Sequence, residues 1–409
     1  MINITKLYCN TDTMGDPIRY GSKTGADIKK FYEDIKEFNT PASARQRKPV
    51  IVWNITRRCN LNCIHCYSDS HNIFYSEELS TGQAKKTIKD LSCFKVPVIL
   101  FSGGEPLLRA DIFTLADYAK NLNLRCVLST NGTLINKTIA KKIKKAGFSY
   151  VGISLDGIGE TNDFFRGCKG AFKKTVDAFR NCVEINQKVG LRLTLTKHTL
   201  RDLHKIFDFL EKENIPRACF YHLVSSGRGG NISEEALTHN ETRQALDIIL
   251  ERTEDLLTRK IYKDILTVDN FVDGVYVYLR LKEKNPEMAS RSLALLNWNG
   301  GGVNSSGVGI GCIDYRGDVH PDQFWQDYTF GNVKLKNFSD IWTDTKDTLM
   351  AGLKNRTSFL KGRCSTCGWI RICGGGLRAR ALKEHGDVWA SDPACYLTDE
   401  EIKSQNPKF

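Results

Sequence analysis

Three cysteines in close succession constrain this chain more than any other feature: Cys59, Cys63 and Cys66, in the run Cys59-Asn60-Leu61-Asn62-Cys63-Ile64-His65-Cys66-Tyr67, follow directly on the apolar residues 50–55. The apolar residues read as a strand, so the thiols sit on the loop that leaves it and not on a helix face. Thiolates so placed can close around one small metal unit. A cubane iron–sulfur cluster held by three of them keeps one iron open to an outside ligand. A structural zinc ion would need a fourth protein ligand, and His65 lies inside the loop to serve as one. The cysteines alone leave both readings open.

From residue 49 onward, apolar strand-like runs at 50–55, 96–101, 125–130, 150–155, 191–196 and 218–224 alternate with helical patterns. In 111–120 the residues Ile112, Leu115, Ala116 and Ala119 share one face, with Asp111 available as N-cap. Asn136 can cap the next helix, whose buried stripe is Ile139, Ile143 and Ala146 and which Gly147 ends. Phe172, Val176, Phe179 and Val183 repeat the arrangement as core. Six βα units in succession imply a parallel sheet with right-handed crossovers, and curvature makes that an incomplete (β/α)6 barrel. Reactive groups of such folds sit at the C-terminal ends of the strands. That rule selects Ser129-Thr130-Asn131 and Ser154-Leu155-Asp156-Gly157, although their Asn-Gly and Asp-Gly neighbourhoods also serve as turns.

The 409 residues suffice for two domains, and the pattern divides as an N-terminal lead-in (1–48), a barrel (49–230), a helical connection (231–310) and a C-terminal domain (311–409). Asp16-Pro17 and the glycines at 21–25 make the lead-in irregular. No apolar run is long enough to span a bilayer, and residues 1–18 carry no export signal. Fourteen cysteines would suit disulfides in a secreted protein, but seven fall into two metal-like groups, so a cytoplasmic protein is expected. The net charge of +12 includes Lys137, Lys141, Lys142, Lys144 and Lys145 on one helix, a solvated face or a field that attracts a polyanion. No basic-aromatic strip points to nucleic acid. A small polycarboxylate fits the field equally well.

Ser102-Gly103-Gly104-Glu105-Pro106 follows the second apolar run. Together with the cysteine loop and its trailing aromatic, Tyr67, it resembles the radical S-adenosylmethionine (SAM) superfamily, whose fold is the same partial barrel. The resemblance implies that Cys59, Cys63 and Cys66 hold a [4Fe–4S] cluster whose open iron chelates SAM. Gly103 and Gly104 would let backbone approach the methionine end of SAM, and Glu105 would accept from its ammonium. Asn131, Ser154 and Asp156 would meet its ribose or methionine groups, and Arg166 its carboxylate.

Near the C-terminus come Cys364, Cys367, Cys373 and Cys395, a set that suits a zinc ribbon on spacing alone. The layout is similar to the SPASM extension of radical SAM enzymes, which carries auxiliary [4Fe–4S] clusters, and the four match one full ligand set. A second auxiliary set would need cysteines where Asp322 and Leu377 stand, which leaves Cys312 outside any cluster. Two [4Fe–4S] clusters are therefore implied in all. A hairpin turning at Tyr315-Arg316-Gly317-Asp318 precedes this module. The glycine- and serine-rich residues 299–311 read as a linker or a loop over the active site.

Residues 48–59, Ser306-Gly307-Val308-Gly309-Ile310-Gly311-Cys312, Val319-His320-Pro321-Asp322-Gln323-Phe324-Trp325 and Asp392-Pro393-Ala394-Cys395-Tyr396-Leu397-Thr398 resemble the radical SAM enzymes that trim sirohaem derivatives. This likeness implies removal of acetate side chains from 12,18-didecarboxysirohaem, giving iron coproporphyrin III for haem biosynthesis. The implied partners are the iron tetrapyrrole and a reduced, low-potential electron donor. Alternatives are the sister activity on propionates in d-type haem synthesis, a peptide maturase, or a cluster carrier without activity. Arg217, Arg228, Arg378, Arg380, His222 and His320 are candidates for substrate carboxylates. His320 is also a candidate iron ligand, and Tyr315 or Cys312 a donor of a proton or hydrogen atom.

Overall fold

The computed structural model describes residues 1–9 and 48–403. Within them one sheet of eleven strands runs through the molecule: β1 (Ile2–Asn3), β2 (Val50–Thr56), β3 (Ile99–Gly103), β4 (Cys126–Thr130), β5 (Tyr150–Ser154), β6 (Val189–Leu195), β7 (Arg217–His222), β8 (Asp264–Val268), β9 (Ile310–Ile313), β10 (Asp318–His320) and β11 (Gly331–Asn332). Strands β2 to β7 follow the six apolar runs, lie side by side in chain order and pair in parallel. Intervening helices bury their apolar stripes against the sheet. Trp53, Phe101, Phe179, Phe207 and Phe220 are fully buried in the resulting core.

The parallel sheet is wider than six strands. β8 pairs in parallel with β7, and β9 in parallel with β2, so one more strand stands on each side. Neither is visible as a βα repeat: β8 follows the 20-residue helix His239–Thr258, and β9 returns from the C-terminal half to the first barrel strand. Residues 231–310 are therefore not purely a helical connection. β1 closes the far edge by pairing antiparallel with β8, where Asn3 donates to Asp264 Oδ1 at 2.7 Å. The first nine residues are thus ordered structure and not part of an irregular lead-in, while Asp16-Pro17 and residues 21–25 lie outside the described residues.

Asn136 caps its helix as expected, accepting from the Ile139 amide at 2.9 Å. Asp111 does not cap helix Ile112–Asn121 with its side chain; Arg109 and Thr81 take its carboxylate, at 2.7 and 2.6 Å. The hairpin of β9 and β10 turns at Gly317, where φ is +94°. Residues 299–311 are neither linker nor lid. A Cβ at Gly301 or Gly302 would collide with the carbonyls of Ile372 and Cys373, and the buried Arg356 donates to Ser305 Oγ at 2.6 Å and to Gly302 O at 3.2 Å. The glycines are small here because backbone packs on backbone beside Cys373. No described helix is long and apolar enough to cross a membrane.

Candidate active site

The C-terminal ends of the barrel strands surround a cavity of about 200 Å³. Cys59, Cys63 and Cys66 line it from the loop after β2, joined by Tyr67, Gly103, Gly104, Asn131, Ser154 and Arg166. Cys59 and Cys63 are buried, and all three thiols pack together with Leu61. Two polar neighbours hold this loop in place. Asn131 donates from Nδ2 to Asn60 Oδ1 at 2.9 Å and approaches Cys59 Sγ at 3.8 Å, while Arg228 donates from Nε to Cys63 O at 2.9 Å.

Gly103 and Gly104 border the cavity, but their lack of a side chain answers first to the backbone. Gly103 has φ +125°, and a Cβ on either residue would run into the carbonyls of Thr56 or Arg58, just ahead of Cys59. Gly104 N–H donates to Thr56 O and Glu105 N–H to Arg58 O, both at 2.8 Å, so the β3 end is clamped to the root of the cysteine loop. Glu105 itself does not line the cavity. It is fully buried and accepts from Thr130 Oγ1 at 2.8 Å, Asn131 N–H at 2.8 Å and Leu107 N–H at 3.0 Å, tying β3 to β4. Burial pushes its carboxyl up to about 7, against the pull of those three hydrogen bonds.

Asp156 is likewise turned away from the cavity. One oxygen pairs with Arg166 and, at 3.1 Å, with His65 Nε2; the other accepts from Thr194 N–H at 2.6 Å. Burial opposes its ionisation, but Arg166 and His65 outweigh it and hold the carboxyl well below the usual range. Asp156 therefore orients Arg166, whose Nη1 stands 3.7 Å from Cys63 Sγ. Tyr67 turns its hydroxyl back onto Asn54 Oδ1 at 2.9 Å and rests edge-on against Phe324.

A second cavity of about 270 Å³ adjoins the first, with Ser68 and Gln323 in the walls of both. Cys312, Tyr315 and His320 all line it. Cys312 accepts from Asn54 Nδ2 at 3.7 Å, so Asn54 links the thiol to the Tyr67 hydroxyl; burial pushes that thiol far above its ordinary range. His320 Nδ1 lies 2.7 Å from Tyr328 O. Asp322 is buried, accepts from Ser306 and from Phe324 N–H at 2.8 Å, and Leu377 is buried apolar core.

The arginines singled out for substrate carboxylates are engaged elsewhere. Arg217 begins β7, at the opposite end of the strands, and donates to Asp264 at 2.6 Å. Arg378 donates to the carbonyls of Val388 and Ala390 at 2.9 and 2.7 Å, and Arg380 pairs with Asp392 at 2.9 Å. Arg228 holds Asp69 at 2.9 Å besides the cysteine loop. His222 lines the first cavity but is tied through Nε2 to Asp273 at 2.8 Å. Acids elsewhere in the chain pair with Arg217, Arg228, Arg380 and His222, and backbone carbonyls hold Arg378, which residue spacing cannot show. Arg192, Thr194 and Tyr221 line the cavity and were not singled out; an arginine inside the alternation of β6 is their signal.

Cys364, Cys367, Cys373 and Cys395 border a further cavity, walled by Val272, Ile370 and Leu397. Among the described residues no three His, Cys, Asp or Glu side chains converge on a point where a single ion would sit. Each cysteine set lines a cavity, of about 200 Å³ for the first and about 20 Å³ for the second. The first set has three thiols and no fourth cysteine in its wall; its polar atoms His65 Nδ1, Arg166 Nε and Gln323 Oε1 are buried without a protein partner. These residues fit a three-thiolate cluster with a polar ligand beside it.

The radical SAM superfamily profile matches residues 53–210, and the chain belongs to this superfamily, a class of enzymes that use SAM and an iron–sulfur cluster. It is 52% identical to Fe-coproporphyrin III synthase of Methanosarcina barkeri, over 98% of this chain and 99% of that protein. Pre-heme d1 synthase of Dinoroseobacter shibae is 44% identical, over 91% of this chain and 93% of its own. In fold it is similar to Streptococcus suis SuiB bound to S-adenosylmethionine, with a TM-score of 0.66 and 18% identity over 96% of this chain and 87% of SuiB.

Proposed function

We propose that this enzyme removes the acetate side chains of 12,18-didecarboxysirohaem and so makes iron coproporphyrin III. The observation that carries the reading is the identity of 52% with Fe-coproporphyrin III synthase, spread over nearly the full length of both chains. The 44% identity with pre-heme d1 synthase ranks the propionate-removing sister activity second.

Cys59, Cys63 and Cys66 would hold the cluster whose open iron takes SAM. With the cluster and SAM bound, this site would supply one-electron reductive cleavage of SAM and so a radical able to take hydrogen from the substrate. The protein's own part is positional. Asn131 and Arg228 fix the cysteine loop, Asp156 holds Arg166 beside Cys63, and Gly103 and Gly104 bring the end of β3 against that loop. Ser154 and Asn131 present polar groups to the cavity for SAM, and Glu105 backs the wall as a carboxyl group without a cationic partner. Cys312, Tyr315 and His320 line the adjoining cavity, where a proton or hydrogen donor to the trimmed ring would stand. Cys364, Cys367, Cys373 and Cys395 would hold a second [4Fe–4S] cluster that exchanges electrons. A reduced, low-potential electron donor would serve the enzyme, and a cytoplasmic location suits that chemistry.

Anaerobic reconstitution with iron and sulfide, followed by assay of 5′-deoxyadenosine with and without didecarboxysirohaem, tests the proposal. Turnover stimulated by the tetrapyrrole supports it. Stimulation by a peptide and by no tetrapyrrole would replace it with the maturase reading.

A further inference from the structure

A polycarboxylate substrate needs cations at the reacting end of the barrel, and one guanidinium there has no acid of its own. Arg192 stands on β6 in register with Ser154 and lines the 200 Å³ cavity. Its Nε donates to the Tyr221 hydroxyl at 2.8 Å, Nη2 donates to the same oxygen, and Nη1 donates to Ser129 Oγ. The guanidinium carbon also lies 4.9 Å from the centroid of the Tyr221 ring. All of these partners are neutral. Asp269 shares the cavity wall, yet no Asp or Glu among the described residues pairs with Arg192.

Arginine carries five N–H donors and stays charged at any workable pH. Three hydrogen bonds to two hydroxyls leave two donors free, and a cation in a protein wall without an anion is poorly stabilised. The neighbouring strand is shaped to receive it. Gly152 of β5 sits where a Cβ would come within 2.6 Å of Arg192 Cδ, and glycine inside a strand marks such a close approach. Arg166, by contrast, stands at the Cys63 sulfur, while β6 lies four strands away from β2 in the sheet.

We propose that Arg192, seated in the slot left by Gly152 and steadied by Tyr221 and Ser129, anchors a carboxylate side chain of the tetrapyrrole in the cavity that the three cysteines share. It is thereby a specificity-determining residue for the reaction, and this rests on the tetrapyrrole reading given above.

The test uses reconstituted, anaerobic enzyme without reductant. Didecarboxysirohaem binding is followed by the shift of its visible absorption, and SAM binding separately by equilibrium dialysis. Arg192→Gln should weaken tetrapyrrole binding by about 10- to 100-fold, the size expected for one charge-assisted contact, and leave SAM affinity within about 3-fold. Arg192→Lys should fall between, since it keeps the charge and loses the fork. Gly152→Ala should reproduce the loss with the arginine still present, and it carries the measurement if the glutamine variant does not assemble its clusters. Tetrapyrrole affinity unchanged in Arg192→Gln, or a loss that falls on SAM instead, overturns the proposal alone. Wild-type enzyme that binds no tetrapyrrole overturns the functional reading beneath it.

Discussion

Two buried carboxylates at the edge of the site behave in opposite ways because their partners differ. Asp156 is held ionised by Arg166 and His65, so Asp156→Asn should strand a guanidinium beside Cys63 and lower stability by about 3–5 kcal/mol, read from denaturant unfolding of the cofactor-free protein. An unchanged midpoint would deny that the pair orients Arg166. Glu105 has no cation, and burial lifts its carboxyl from 4.5 to about 7. The folded protein then keeps a proton that the unfolded chain has released, so stability falls as pH rises from about 4.5 to 7 and levels off above. The full loss is about 3 kcal/mol. Asp269, raised by burial to about 6, adds to the same slope. Glu105→Gln should flatten much of it, and equal slopes in the two proteins would contradict the assignment. At this scale the sequence picks out Cys59, Cys63, Cys66, Asn131, Ser154 and Arg166, which line the cavity, but does not show which of the candidate arginines already have partners. Whether an arginine is free depends on acids such as Asp264 and Asp392, and those meet it only in the fold.

Gly103 and Gly104 clamp β3 onto the root of the cysteine loop, so an added methyl must push that loop outward. Gly104→Ala should cost about 1–3 kcal/mol and reduce iron taken up at the first site, measured by iron analysis after reconstitution. Full iron incorporation at wild-type stability would show that the clamp is dispensable. For the C-terminal set, wild-type enzyme should carry about eight irons per chain, and Cys367→Ala with Cys373→Ala should lower this to about four while some SAM cleavage survives. Stoichiometric zinc in anaerobically purified protein would refute the second cluster. Six barrel strands were legible because each is an apolar run bounded by turn residues. β1 has only two residues and β9 four, too short for a period to show, and β9 joins the sheet beside a strand about 260 positions earlier. Residues 299–311 misled for a related reason: glycine and serine look like a linker until the carbonyls of Ile372 and Cys373 are found against them.

Across the molecule, a chain of net charge +12 faces a substrate proposed to carry several carboxylates. Raising salt should weaken tetrapyrrole binding, because screening shortens the reach of that field to a few ångströms at 1 M. Salt-independent binding would assign affinity to apolar contact alone. Which bond the enzyme breaks separates it from the sister activity. Mass spectrometry of the tetrapyrrole after anaerobic turnover of 12,18-didecarboxysirohaem with SAM and reductant decides it. Loss of two acetate groups with formation of iron coproporphyrin III is the predicted result. Loss of propionate side chains instead would contradict it and move the enzyme to the sister reaction.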